Sequence, residues 1–160
     1  MKIVRIGLLL VVLGMFVSGV SAAQAAPSSL TVVVTQAQVN AALSTVSTTT
    51  KGIANASVVI QPTGVVLTAS VTVPGKTPVV TVSVWTFAVT SSGVTTTLKS
   101  VTVNGKPATQ DTINKLNSYA ATLRSAFIKA AQTAGKTPPT YKITNIVLEP
   151  GYALVTLTTR

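Results

Sequence analysis

The stretch TQDTINKLNSYAATLRSAFIKAAQTAG, residues 109–135, decides the fold because it predicts one long amphipathic helix. Thr109 or a neighbour caps this helix, and Asp111 lies in its first turn, where the helix dipole favours a negative charge. Gly135 is expected to terminate it, with two prolines close behind. Its apolar stripe consists of Ile113, Leu116, Ala120, Leu123, Phe127 and Ala131.

Segments rich in valine and threonine on both sides of this helix predict β-strands, because β-branched side chains favour extended backbone. Four strands are expected before the helix and a closing hairpin after it, at residues 56–61, 65–73, 79–90, 94–103, 141–149 and 152–159. A short extended run, residues 30–35, leads into the capping box TQAQ, residues 35–38. That box predicts a first, shorter helix.

The alternation of apolar residues changes within the strand 79–90, which has Val80, Val82 and Val84 in one phase and Trp85, Phe87 and Val89 in the other. A β-bulge at Val84–Trp85 would reset the phase and bend the strand. The other interpretation is a strand that is apolar on both faces. A similar shift follows Leu98, so the sheet is expected to be curved.

Strands followed by a helix and further strands predict an α+β domain. We expect a curved antiparallel sheet wrapped around the long amphipathic helix, with a short N-terminal helix. Residues 26–160 have the length of a single domain.

The N-terminal segment predicts export. Lys2 and Arg5 precede an apolar run, residues 6–20, and small residues follow at positions 21–25. We interpret residues 1–25 as a secretory signal peptide, with an uncleaved membrane anchor as the alternative. Both interpretations place the domain outside the cytoplasm, as a secreted protein or on the outer face of the cytoplasmic membrane.

The composition argues against catalysis. The 160 residues contain no cysteine, no histidine and only two acidic residues, Asp111 and Glu149. A thiol nucleophile, an imidazole base and a Cys or His metal site are therefore excluded, and a carboxylate pair would need both acids. Ser125 and Lys129 are one helical turn apart, but they fall on the predicted solvent face, where lysine stays charged. We expect no enzyme activity, no catalytic residues, no metal and no cofactor.

The net charge of +10 indicates which binding partners the protein could attract. It favours attraction to an anionic membrane surface or an acidic envelope polymer, whereas an ordinary solvated surface is the simpler explanation of the scattered lysines. Lys76 and Lys106, both at predicted turns, are the candidates for contact with headgroups or the membrane surface. Arginines are not clustered and no basic stretch alternates with aromatics, so nucleic acid is not an expected partner.

The order of several short motifs resembles a known family. The opening LTVVVTQAQVNAAL (residues 30–43), the segment IQPTGV (60–65), the helix entry VTVNGKP (101–107) and the terminal ITNIVLEPGY (143–152) are the motifs that carry it. In order and spacing they are similar to small bacterial secreted or anchored domains related to LmeA and YpmS, which belong to the tubular lipid-binding (TULIP) superfamily. The resemblance implies a sheet curled around a long helix, with an apolar groove that takes up lipid tails.

The function expected from these observations is that of a non-enzymatic exported lipid-binding domain, which holds or shuttles acyl chains near the membrane surface. The candidate groove walls are Trp85, Phe87, Leu116, Ala120, Leu123 and Phe127. Each of them is equally explained as ordinary core, and Trp85, the single tryptophan, is the strongest candidate for a groove mouth. The alternative function is that of a structural or adhesive cell-envelope protein with no ligand.

Overall fold

The computed structural model describes residues 29–46, 51–136 and 140–159, and these form an α+β fold. The predicted signal segment, residues 1–25, lies outside the described residues. The elements follow in the order β1 (Ser29–Thr35), α1 (Gln36–Val46), β2 (Ile53–Gln61), β3 (Gly64–Val71), β4 (Val79–Thr90), β5 (Gly93–Val103), β6 (Lys106–Pro107), α2 (Gln110–Asn117), α3 (Ala120–Gly135), β7 (Tyr141–Glu149) and β8 (Tyr152–Thr159).

The strands form two antiparallel sheets, whereas the sequence was expected to form one. One sheet has three strands in the order β1-β8-β7, and the other has five in the order β2-β3-β4-β5-β6. The division arises because the first strand pairs with the last, from Ser29 opposite Thr158 to Thr35 opposite Tyr152. Helix α1 then carries the chain over to β2. Residues from both sheets, α1 and the long helix share one hydrophobic core.

The long helix is present but bent, because it consists of α2 and α3 with a break at Ser118 and Tyr119. The Ser118 hydroxyl donates a hydrogen bond to the carbonyl of Lys115 at 2.6 Å. The Tyr119 amide bonds to the carbonyl of Leu116, three residues back, at 2.7 Å. Side-chain bonding to the preceding turn and such a tight turn are recognised causes of helix bending. The predicted stripe still faces the core, since Leu116, Leu123, Phe127 and Ala131 are all buried.

Helix α3 includes the predicted terminator, Gly135, as its last residue. Lys136, the next residue, adopts the left-handed conformation with φ of 49°. The αL position that usually follows a helix is therefore occupied by a lysine rather than by the glycine. The expected terminating prolines fall on residues 137–139, outside the described ranges.

Helix α1 begins at the predicted capping box. The Thr35 amide donates to the Gln38 side chain at 2.8 Å, and the Gln38 amide donates to the Thr35 hydroxyl at 3.3 Å. On its other side α1 holds the edge strand β2 through Asn40, whose amide group accepts from Val58 N–H at 2.7 Å and donates to Val58 C=O at 3.1 Å. These bonds satisfy backbone groups that an edge strand otherwise leaves open.

Strand β4 has apolar side chains on both faces, as the second interpretation of its sequence expected. The register between β4 and β5 does shift at Val84–Trp85, but the extra residue is Lys99 on β5, because Val84 pairs with Ser100 and Trp85 with Leu98. The inward face of β4 therefore includes Trp85, while Val80 and Val82 lie on the outer face, 57% and 43% exposed. The bulge explains why the apolar phase of β5 changes after Leu98.

Candidate functional site

The six predicted groove residues lie in or against the core. Four of them are fully buried: Trp85, Leu116, Leu123 and Phe127. The other two, Phe87 and Ala120, are half-buried and pack against the same core. The rings of Phe87 and Phe127 are in contact, with centroids 4.7 Å apart and planes inclined by 31°. The centre of the space between the five-stranded sheet and the helix is thus occupied by side chains.

Trp85 lies in the core rather than at a groove mouth. Its indole N–H donates to the Ser83 hydroxyl at 2.9 Å, and that hydroxyl donates to the carbonyl of Leu67 at 3.1 Å. Thr81, also fully buried, donates to the carbonyl of Ala69 at 3.1 Å. The inner face of β4 therefore carries a short chain of buried polar groups that are all hydrogen-bonded, as buried polar groups require.

A cleft of about 590 Å³ opens at one end of this core, where the β4–β5 hairpin approaches α3 and β7. We call it the hairpin cleft. Its walls are the hairpin residues 89–94, residues 141–144 of β7 and the side chains of Arg124, Ile128 and Gln132 on α3. Those three helical positions are four residues apart and so form one stripe along the helix. The volume is within the range of small-molecule sites, about 300–1,000 Å³.

The hairpin cleft has a mixed lining of aliphatic, polar and positively charged residues. Val89, Val94, Ile128 and Ile143 supply the apolar surface, and Arg124 and Lys142 supply two cations. No acidic residue lines it. Phe87 and Phe127 are not among its lining residues, but each is close in sequence to one: Phe87 shares a face of β4 with Val89, and Phe127 precedes Ile128 on α3. The cleft can therefore accept an apolar group, with cations at its edge.

A second cleft, of about 430 Å³, lies between the β3–β4 connection, β5, β6 and the start of α2. We call it the α2 cleft. It is lined mainly by apolar residues: Val71, Val73, Val79, Val103, Pro107 and Ala108. Lys76 also lines it and forms an ion pair with Asp111 on α2, with Nζ and Oδ2 2.7 Å apart.

Of the two predicted headgroup residues, Lys76 lines the α2 cleft and Lys106 does not. Lys106 is exposed on β6, next to the lining residue Pro107. The two clefts lie at opposite ends of β4, since Val79 lines one and Val89 the other. At about 3.3 Å per residue these two positions are roughly 33 Å apart. Lys76 and Lys106 are therefore distant from the hairpin cleft.

Arg124 is the residue that the sequence analysis missed. It is half-buried and flanks the predicted core stripe of α3. The signal was present as a second stripe, because Arg124, Ile128 and Gln132 follow each other at intervals of four. Only the hairpin and β7, which are remote in sequence, make that stripe part of a cleft.

The side chains of Ser125 and Lys129, which are one helical turn apart, lie on the solvent-exposed surface of α3. The Lys129 ammonium donates to the Thr45 hydroxyl of α1 at 3.1 Å, so it links the two helices. Residues 29–46, 51–136 and 140–159 include no cluster of three or more metal-binding side chains.

Two comparisons with known proteins found no match to this chain. No protein-family model matches the chain, and no curated protein is significantly similar to it. Within the part of the chain that the structure describes, no helix is both long and apolar enough to cross a membrane.

Proposed function

We propose that this protein is a non-enzymatic, exported lipid-binding domain that holds or shuttles acyl chains near an anionic membrane surface. The acyl chain occupies the hairpin cleft, between Ile128 on α3 and Val89 and Val94 on the hairpin. The observation that carries the proposal is this cleft of about 590 Å³, in which aliphatic residues of α3, β7 and the β4–β5 hairpin lie together beside two cationic residues.

Burial of an acyl chain contributes more to the binding free energy than the attraction of any one lysine to an anionic membrane. Burial of one methylene group contributes about 0.8 kcal/mol, so sixteen sequestered carbons contribute on the order of 12 kcal/mol before ordering costs. A lysine near an anionic membrane contributes only about 1 kcal/mol. The cleft therefore determines affinity. The net charge is +10 for the full sequence and +8 without Lys2 and Arg5 of the signal peptide, and it brings the protein to the membrane surface.

We also propose a family and a sheet shape for this domain. We infer a TULIP-like domain in which the five-stranded sheet curves around the long helix, with the bulge at Lys99 adding to its twist. The short helix α1 covers the edge strand β2 through Asn40. In this arrangement the hairpin cleft is the open end of the groove, and the Phe87–Phe127 contact is its inner limit.

One observation favours the alternative, a structural or adhesive envelope protein with no ligand. The middle of the space between helix and sheet is filled, since Trp85, Leu116, Leu123 and Phe127 have no exposed surface. In that alternative the hairpin cleft is a surface depression that binds nothing.

A fluorescent acyl-chain probe and native mass spectrometry test the proposal. We expect co-purifying lipid in native mass spectra and binding of the probe at micromolar concentration. Ile128→Trp, which fills the cleft, should weaken probe binding by about tenfold, or 1.4 kcal/mol. Val147→Trp is the matched control, because Val147 is 42% exposed on β7 and lines neither cleft. Protein without lipid that also fails to bind the probe would leave the structural alternative.

A further inference from the structure

We propose that the hairpin cleft selects amphiphiles whose acyl chain ends in an anionic group, a carboxylate or a phosphate, and that Arg124 and Lys142 bind that group. This inference rests on the proposed function and adds the class of ligand. The positions of the two acidic residues relative to the hairpin cleft support it.

The chain has two carboxylate side chains, and both lie away from the hairpin cleft. Asp111 is paired with Lys76 at the other end of β4. Glu149 is on the same strand as Lys142 but seven residues further along, which corresponds to about 23 Å. No side-chain carboxylate of the protein is therefore available to neutralise Arg124 or Lys142.

The position of Arg124 makes this absence of a neighbouring side-chain carboxylate important. Arg124 is half-buried, and a charge that is partly removed from solvent interacts more strongly with an anion than it does in bulk water. A guanidinium group also matches the two oxygens of a carboxylate or phosphate with paired donors. Lys142, which is exposed on β7, lines the same cleft and supplies a second positive charge to it.

The hydroxyl groups of the cleft are largely engaged with the protein itself. Thr90 donates to the carbonyl of Gly93 at 2.9 Å, and its hydroxyl oxygen lies 2.9 Å from that of Ser92. Thr144 donates to the carbonyl of Thr156 at 3.3 Å. Charge, rather than hydrogen bonding by neutral hydroxyls, is thus the main source of discrimination among ligands.

The spacing along α3 connects the charge to the apolar wall. Ile128 is one helical turn beyond Arg124, a rise of about 6 Å. A ligand whose anionic end contacts Arg124 can lay its first methylenes against Ile128 and continue towards Val94 on the hairpin. The arrangement therefore fits an anion joined to a chain better than a free anion.

The test compares ligands of one chain length and different end groups. We would measure, by displacement of the fluorescent acyl probe, the affinities of palmitate, hexadecanol and palmitoyl-lysophosphatidate, with inorganic phosphate as the chain-free anion. The two anionic amphiphiles should bind at least about tenfold more tightly than hexadecanol. Whichever of the two binds more tightly identifies carboxylate or phosphate as the natural end group.

Variants that each remove one positive charge identify the residues that bind the anionic group. Arg124→Gln should weaken the binding of palmitate and palmitoyl-lysophosphatidate by about tenfold and that of hexadecanol by much less, and Lys142→Gln should weaken the two anionic amphiphiles by a smaller factor. Lys129→Gln is the control, because it removes the same charge from α3 at a residue outside the cleft. Thermal unfolding of each variant checks that the fold persists.

Three results would overturn the inference. Equal binding of palmitate and hexadecanol by the unmodified protein would remove anion selection and leave acyl-chain binding intact. Inorganic phosphate binding as tightly as the amphiphiles would reduce the site to a simple anion site. Failure of all four ligands to bind would overturn the proposed function together with the inference.

Discussion

The side chains of Phe87 on β4 and Phe127 on α3 pack against each other with ring centroids 4.7 Å apart. This contact joins the five-stranded sheet to the long helix. Because Phe127 has no exposed surface, the groove expected along the helix is filled at this point. Positions 127 and 128, adjacent in sequence, therefore have different roles: Phe127 supports the fold, and Ile128 faces the cleft.

Enlarging Phe127 should destabilise the protein. Phe127→Trp adds volume to a packed site, and such overpacking costs about 1–3 kcal/mol. Ile128→Trp, which extends into the cleft, should change the free energy of unfolding by less than about 1 kcal/mol. Urea unfolding followed by circular dichroism measures both values. Similar stability of the two variants would show that the site around Phe127 has room to spare.

Trp85 should behave as a fully buried fluorophore. It is the single tryptophan, so intrinsic fluorescence reports on it alone. We expect a blue-shifted emission maximum and little quenching by iodide, with no change when the acyl probe binds. Strong iodide quenching in the folded protein would instead place Trp85 at an accessible groove.

The hydroxyl of Ser83 should contribute measurably to stability. Ser83→Ala leaves the Trp85 indole N–H without its acceptor, and an unsatisfied buried donor costs about 1–3 kcal/mol. Ser100→Ala, at an exposed position on β5, should change stability by less than about 0.5 kcal/mol. Chemical denaturation of the two variants provides the comparison, and equal effects would contradict a structural role for the buried hydroxyl.

Asn40 should be important for attaching β2 to α1. Asn40→Ala removes both hydrogen bonds to Val58, with an expected loss of about 1–3 kcal/mol. Hydrogen exchange should accelerate at the Val58 amide, which loses its acceptor. Asn114→Ala on the exposed surface of α2 serves as control, and an Asn40 variant as stable as that control would disprove the attachment.

The ion pair between Lys76 and Asp111 should have little effect on stability. Its side chains are 55% and 59% exposed, and exposed pairs contribute about 0–1 kcal/mol. Asp111→Asn should therefore lower the free energy of unfolding by less than about 1 kcal/mol, and added salt should reduce the difference further. Thermal unfolding at low and high salt measures this, and a larger effect at high salt would contradict the interpretation.

Local features of the fold were predictable because short-range chemistry determines them. The capping box at Thr35 and Gln38, the closing hairpin and the first-turn position of Asp111 each depend on neighbouring residues. The division into two sheets was not predictable, because the pairing of β1 with β8 joins residues more than a hundred positions apart. The bend at Ser118 and Tyr119 accompanies a side-chain hydrogen bond and a tight backbone turn that the helical pattern does not reveal.

In the candidate site, too, local features were predictable from the sequence and long-range contacts were not. Apolar periodicity identified Leu116, Leu123 and Phe127 as inward-facing, but periodicity alone does not separate a packed core from a groove. The hairpin cleft arises where residues 89–94, the Arg124 stripe and residues 141–144 converge, so it depends on tertiary structure. Thr81 and Ser83 were not anticipated as buried, because their hydroxyls find acceptors only on the neighbouring strand β3.

Methyl NMR with a spin-labelled fatty acid tests the central claim, that the hairpin cleft holds an acyl chain, most directly. The methyl resonances of Val89, Val94 and Ile128 should broaden on addition of the labelled fatty acid and recover when the label is reduced. Those of Val71 and Val103, in the α2 cleft, should remain sharp. The claim would be contradicted if no resonance broadened, or if broadening were confined to the outer-face residues Val80 and Val82 or to the α2 cleft.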